Sequence, residues 1–327
     1  MAAAPPSPAL DPVRGDDGTL ELSTTSRTLF TLGLPAAFAG LAYASPAMAA
    51  IAPILAAPTA LAAWQVRRLQ PKESGNFNTT TWTYIAGGLF GPPLAAALQI
   101  AVCVPALKLM YGAAAGAYMR EFGRHTLEGV SAEIIAQRRT WAREPRHFAM
   151  LALLAFPLAG VLEELFKYTC LRLAIWRNKP KHEWEYLIYA TAAGIGFATI
   201  ENFLFVHAGI KGGETSRKLA LTIAERTIFG IIGHGATAAI TGLRSVHRDA
   251  RKEEMSVWQV IVRAALYHGV MDFGLFSLSA WNGNVGWIHS PDLVSNIVGY
   301  TFVFLLQGSL VRDLWQGIRS AGLHACS

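Results

Sequence analysis

Phe148-Ala-Met-Leu-Ala-Leu-Leu-Ala-Phe-Pro157-Leu-Ala-Gly-Val-Leu-Glu163-Glu164-Leu-Phe-Lys167-Tyr-Thr-Cys-Leu-Arg172-Leu173 is the stretch on which the reading of this chain turns. As a helix it rises roughly 39 Å, enough to cross the hydrocarbon core of a bilayer. Two adjacent glutamates sit inside it. An acidic side chain near a bilayer centre costs roughly 2.5 to 3.5 kcal/mol on insertion scales, so Glu163 and Glu164 need partners, protons or a metal ion. Around the helix, Lys167 lies about 40° from Glu163 and about 60° from Glu164, so it can pair with one and leave the other. A buried ion pair that fixes helix packing accounts for one glutamate only. Two carboxylates in different environments suit a metal ligand beside a general base, or an acid beside a base.

The composition agrees with a life in lipid. Of 327 residues 52% are apolar and 15% charged, and the charges gather between apolar runs. The net charge of +6 comes with no basic stripe interleaved with aromatics, which argues against nucleic acid as a partner and leaves the bilayer and a membrane protein or lipid-like substrate. Cys103, Cys170 and Cys326 form neither a CxxC pair nor a disulfide framework.

These features predict an all-α polytopic membrane protein of about eight transmembrane helices with a polar site in the bundle core. Residues 1–27 read as a disordered tail. Residues 28–118 read as N-terminal transmembrane helices, with an uncleaved hairpin bent at Ser45-Pro46 and a continuous helix starting at Leu94, after Pro92-Pro93 and a re-entrant or interfacial approach. Residues 119–147, with Arg120, Arg124, Arg138, Arg139, Arg143 and Arg146, read as an amphipathic helix on anionic headgroups. Residues 148–281 form the expected catalytic core, with spans near 148–173, 186–208, 219–243 and 257–281, and residues 282–327 hold the last helix and the C-terminal tail. Basic residues such as Arg177, Lys179, Lys181, Arg248 and Arg251 share a side with both termini, which the positive-inside rule places in the cytosol.

Four successive spans carry acid or imidazole groups. After the Glu163-Glu164-x-x-Lys167 span comes Phe197-x-x-x-Glu201-Asn202, preceded by Gly194 and Gly196, whose missing side chains allow close helix approach. His234 follows among Gly230, Gly233 and Gly235, with Arg226 two turns earlier at a helix end where snorkelling explains it as well as catalysis does. His268-x-x-x-Asp272 then places an imidazole and a carboxylate on one face, so that Asp272 can accept the second ring N–H or join the imidazole on a metal. Each group alone has a plain structural reading as a satisfied core residue. Together, scattered over four spans they would be too costly to keep, so convergence on one site is expected. Two imidazoles and up to four carboxylates exceed the needs of a divalent metal site with an open water position. Zn²⁺ suits the mixed nitrogen and oxygen donors, and carboxylate excess leaves Mg²⁺ or Mn²⁺ open.

The order and spacing of these four motifs resemble the PrsW family of intramembrane proteases, related to CAAX-processing proteases and Abi immunity proteins. The resemblance covers residues 150–280. It implies a multi-helical membrane protease, glutamate-dependent or metal-dependent, with Glu163 and Glu164 as the first motif, Glu201 and Asn202 the second, His234 the third, and His268 with Asp272 the fourth.

The expectation is therefore an intramembrane peptide-bond hydrolase with Glu164 as general base, Glu201, His234 and His268 on Zn²⁺ or on the oxyanion, Lys167 offsetting the spare carboxylate, and Asn202 and Asp272 as orienting groups. One alternative is an isoprenoid-processing enzyme using the same carboxylates to hold Mg²⁺ on a diphosphate or to protonate an alkene, against which stand the lack of a DDxxD-like cluster and the fact that the nearest basic phosphate partners within the spans are only Lys167 and Arg226. Another is a non-enzymatic scaffold, whose interhelical hydrogen bonds at about 0.6 kcal/mol each predict graded mutational effects with no decisive position.

Overall fold

The computed structural model describes residues 23–69, 77–290 and 292–323. The expectations for the tail up to residue 22 and for Cys326 lie outside these residues. Among the described residues the regular structure is all helical. Five helices are long and apolar enough to cross a membrane by length and composition, Phe77–Phe122, Pro145–Arg177, Glu183–Lys211, Val257–Trp281 and Leu293–Ser320. With the family found below, this makes the chain an integral membrane protein.

The expected count of about eight crossings is not reproduced. The first apolar run folds as Leu34–Ala44 and Pro46–Leu69, broken at Ser45 as the Ser-Pro pair predicts, but its apolar part, Pro46–Ala62, is short of a span. The region expected near 219–243 instead belongs to a helix running from Ser216 through Ala250 with two wider, π-type segments, Arg226–Gly230 and Val246–Ala250. Nearly every residue of its Ile231–Ser245 part is buried by protein. A helix wrapped by other helices can carry histidine, threonine and glycine where a lipid-facing one could not.

Two further expectations need correction. The helix expected to start at Leu94 starts at Gly91. Phe77–Leu89 is a helix, and Gly91–Tyr111 follows with Pro92 and Pro93 in its first turn, where the missing N–H costs nothing. Residues 119–147 are not one amphipathic helix on headgroups. They divide into the end of Ala115–Phe122, a loop, Ala132–Ala142 and the start of Pro145–Leu153. Arg138 is buried against Glu121 at 3.0 Å, and Arg124 pairs with the same carboxylate at 2.6 Å. For these two arginines a carboxylate of the same chain is the partner.

The core is built around Glu183–Lys211, which packs against Phe77–Leu89 on one side and the Ile231–Ser245 helix on the other. Small residues set these approaches. A Cβ at Gly196 would collide with the Tyr84 carbonyl, and one at Gly194 with the carbonyl of His234. Cys103 and Cys170 are free thiols, the latter buried.

Candidate active site

Pro157 lies inside a π-type segment, Leu154–Val161, that runs into the Leu162–Arg177 helix. Proline removes a backbone donor, and the wider π turn accommodates the break, so the first regular turn after it carries Glu163 and Glu164 into the bundle. Both are buried, with Lys167 one turn on.

The two carboxylates meet different surroundings. Oε1 of Glu164 accepts from Lys167 Nζ at 2.6 Å, from the Thr237 hydroxyl at 3.1 Å and from His268 Nδ1 at 3.0 Å. Lys167 thus pairs with Glu164, the more distant by angle, because it also reaches His234 Nδ1 at 2.8 Å and lies 4.9 Å from the centre of the Phe197 ring. Glu163 accepts from Gln99 Nε2 at 3.0 Å through Oε1, while its buried Oε2 has no hydrogen-bond partner among the described residues. That oxygen lies 3.6 Å from His268 Nε2.

The remaining groups extend the network across four helices. His234 Nε2 stands 2.9 Å from Glu201 Oε2, and Arg226 pairs with the same oxygen. Asn202 accepts from Arg226 Nε at 2.9 Å and donates to the Arg226 carbonyl at 2.8 Å, so it holds the guanidinium that holds Glu201. The imidazoles meet edge to face with centroids 5.1 Å apart, and Phe197 stacks on His234 at 5.4 Å. Asp272 Oδ2 lies 3.7 Å from His268 Nε2, beyond hydrogen-bond range, so the group at hydrogen-bond distance from the His268 ring is Glu164 and not the expected Asp272.

A cavity of about 580 Å³ reaches this network. Glu163, Glu201, His234, His268 and Asp272 line it, whereas Glu164, Lys167 and Asn202 stand behind its wall. The sequence reading missed Gln99 and Thr237 and left Arg226 open between snorkelling and catalysis. Gln99 left one signal, a carboxamide inside an otherwise apolar run; Thr237, one turn from His234, left none that separates it from an ordinary packing residue.

Three donors, Glu163, His234 and His268, bring ligand atoms within 4.8 Å of one another. Ligands of a tetrahedral zinc at 2.0 to 2.1 Å stand about 3.3 Å apart, close to the separation of Glu163 Oε2 and His268 Nε2. The unpartnered oxygen and the charge balance also fit a divalent ion. Glu163, Glu164, Glu201 and Asp272 face only Lys167 and Arg226, which leaves two formal negative charges when the carboxylates are ionised and the imidazoles neutral. His234 is the constrained member, because its Nε2 is engaged by Glu201 and its Nδ1 by Lys167. The carboxylate of this group is Glu163, where Glu201 was expected.

The family model described as PrsW family intramembrane metalloprotease matches residues 82–306. The chain belongs to the PrsW family. Among curated proteins it is 30% identical over 142 residues to Protease PrsW of Clostridioides difficile (strain 630), covering 41% of this chain and 56% of that protein. It is 25% identical over 129 residues to Protease PrsW of Oceanobacillus iheyensis and 24% identical over 135 residues to that of Geobacillus kaustophilus, covering 39% and 40% of this chain. The chain spans about half the length of the curated PrsW relatives it matches, 56% in each case. No solved structure matches it.

Proposed function

We propose that this PrsW family member is an intramembrane peptide-bond hydrolase in which Glu163 is the carboxylate that meets the reacting water. The observation that carries the reading is the contrast between the two glutamates. Both keep a buried Oε2 without a hydrogen-bond partner among the described residues, but Glu163 lines the cavity, whereas Glu164 accepts three donors through Oε1 and does not line it. A general base must reach the proton it removes, and a carboxylate already saturated on one oxygen and walled off on the other does not. Glu163 is therefore preferred over the Glu164 expected from the sequence.

In this reading Glu163 Oε2 accepts a proton from water set against the substrate carbonyl. Glu164 accepts from His268 Nδ1–H, which fixes the ring with Nε2 toward the cavity. Protonated on both nitrogens, His268 donates from its Nε2–H to the developing oxyanion. Lys167 holds Nδ1 of His234, leaving its Nε2–H to donate to Glu201, and Arg226 with Asn202 keeps Glu201 in place. Zn²⁺ would be held by Glu163 and His268, joined by His234 once one of its nitrogens is released from Lys167 or Glu201, and when bound supplies a Lewis acid and a water acidified toward neutral pH; Glu163 Oε2 would then be a ligand in place of a base. The isoprenoid alternative gains no support, since Lys167 and Arg226 are both engaged by carboxylates and neither is free for a diphosphate. The proposed substrate is a membrane protein.

The test uses fluorescein-labelled casein in detergent, with new peptide amino termini as readout. Glu163→Gln is expected to stay folded and lose turnover. Wild-type turnover in Glu163→Gln would remove the assignment. Metal content by mass spectrometry is expected to give about one zinc per chain, lost in His268→Ala.

A further inference from the structure

Gln99 belongs to the Gly91–Tyr111 helix, outside the four polar motifs. Its Nε2 carries two hydrogens, and two acceptors stand within reach, Glu163 Oε1 at 3.0 Å and the Leu158 carbonyl at 3.4 Å. Leu158 and Glu163 are five residues apart, one turn in the π register of the segment where Leu158 lies. A single carboxamide therefore spans a backbone carbonyl and the carboxylate above it.

We infer that Gln99 is a positioning residue for the reaction, acting through Glu163 by tying down Oε1 so that Oε2 stays turned to the cavity. The inference rests on the functional reading above. Three features set it apart from incidental packing. Gln99 lines the same cavity as Glu163. The oxygen it binds is the only one of the Glu163 pair with a hydrogen-bond partner among the described residues. Its second bond, to a backbone carbonyl, fixes the amide orientation, because an oxygen in place of Nε2 would face two acceptors. A carboxylate held at one oxygen loses rotational freedom about its last torsion and presents the other without reorganisation. Groups that orient a ligand or base from behind are worth about 10- to 100-fold in affinity or rate.

Gln99→Met keeps the length and removes both donors. Gln99→Glu keeps the shape and sets a carboxylate against Glu163. With the casein probe, kcat per folded molecule is expected to fall about 10- to 100-fold in Gln99→Met and further in Gln99→Glu, with KM at its wild-type value; both variants also melt lower, since each leaves the buried Glu163 carboxylate worse satisfied. A purely structural role predicts a lower melting temperature with unchanged kcat per folded molecule. Wild-type kcat in Gln99→Met, beside an inactive Glu163→Gln, would overturn the inference and leave the hydrolase reading standing. An active Glu163→Gln would instead overturn that reading. If Gln99→Met fails to fold, Gln99→Glu decides, and full activity there likewise refutes a positioning role.

Discussion

Lys167→Met is the substitution whose effect follows most directly from the geometry. Lys167 is 2% exposed and its ammonium stands 2.6 Å from Glu164 and 2.8 Å from His234. At an effective dielectric of about 20, unit charges at that first separation attract by about 6 kcal/mol. Loss of one partner from a buried pair costs about 3 to 5 kcal/mol, because the remaining charge has no solvent to turn to. At roughly 2 to 4 °C per kcal/mol, the expected drop in melting temperature is about 6 to 20 °C. The double variant Glu164→Gln with Lys167→Met removes the charge together with its partner, and it should recover most of the loss. Thermal unfolding of detergent-purified protein, followed by tryptophan fluorescence, reads both. A single variant melting within 2 °C of wild type on the scale just given, or a double variant no better than the single, would show that the pair is solvated and the buried-network picture wrong.

Other perturbations separate chemistry from packing. Arg226→Met frees Glu201 and Asn202 together and should cut kcat by about 10- to 100-fold in the casein assay, with Asn202→Ala moving it in the same direction. Gly196→Val forces a side chain into the Tyr84 carbonyl, and a cost of about 1 to 3 kcal/mol or more should appear as low yield of folded protein. At the turn before Ser216, burial raises the Glu214 carboxyl, but hydrogen bonds from His125 and Thr222 outweigh it and hold the group below its usual 4.5. A lowered folded value gives stability that is present above the unfolded value and lost as pH falls through the folded one. Hydrogen exchange across residues 209–222 should therefore speed up on acidification below the usual carboxylate range, and Glu214→Gln should abolish that dependence.

How far the site was legible follows from the periods involved. Helical spacing and membrane cost are local properties, so Glu163, Glu164, Glu201, His234, His268 and Asp272 announced themselves as polar groups in apolar sequence. Their pairings did not. Lys167 sits nearer Glu163 by helical angle, yet it pairs with Glu164 because His234, 67 positions further on, draws it to that side. Arg226 reads equally as a snorkelling or a catalytic residue until the π segment carries it to Glu201 and Asn202.

The sequence by itself determined that this chain is helical, lies in a membrane and places acid and imidazole groups in four successive apolar stretches, because hydropathy, proline placement and helical period act over a few residues. Only the tertiary structure decided which glutamate faces the cavity, that Gln99 reaches one of them from an earlier helix, and that the His234 helix is wrapped by protein. Those outcomes depend on how close two helices approach and at what angle, and small residues such as Gly194 and Gly196 set that distance only once their partners are in place.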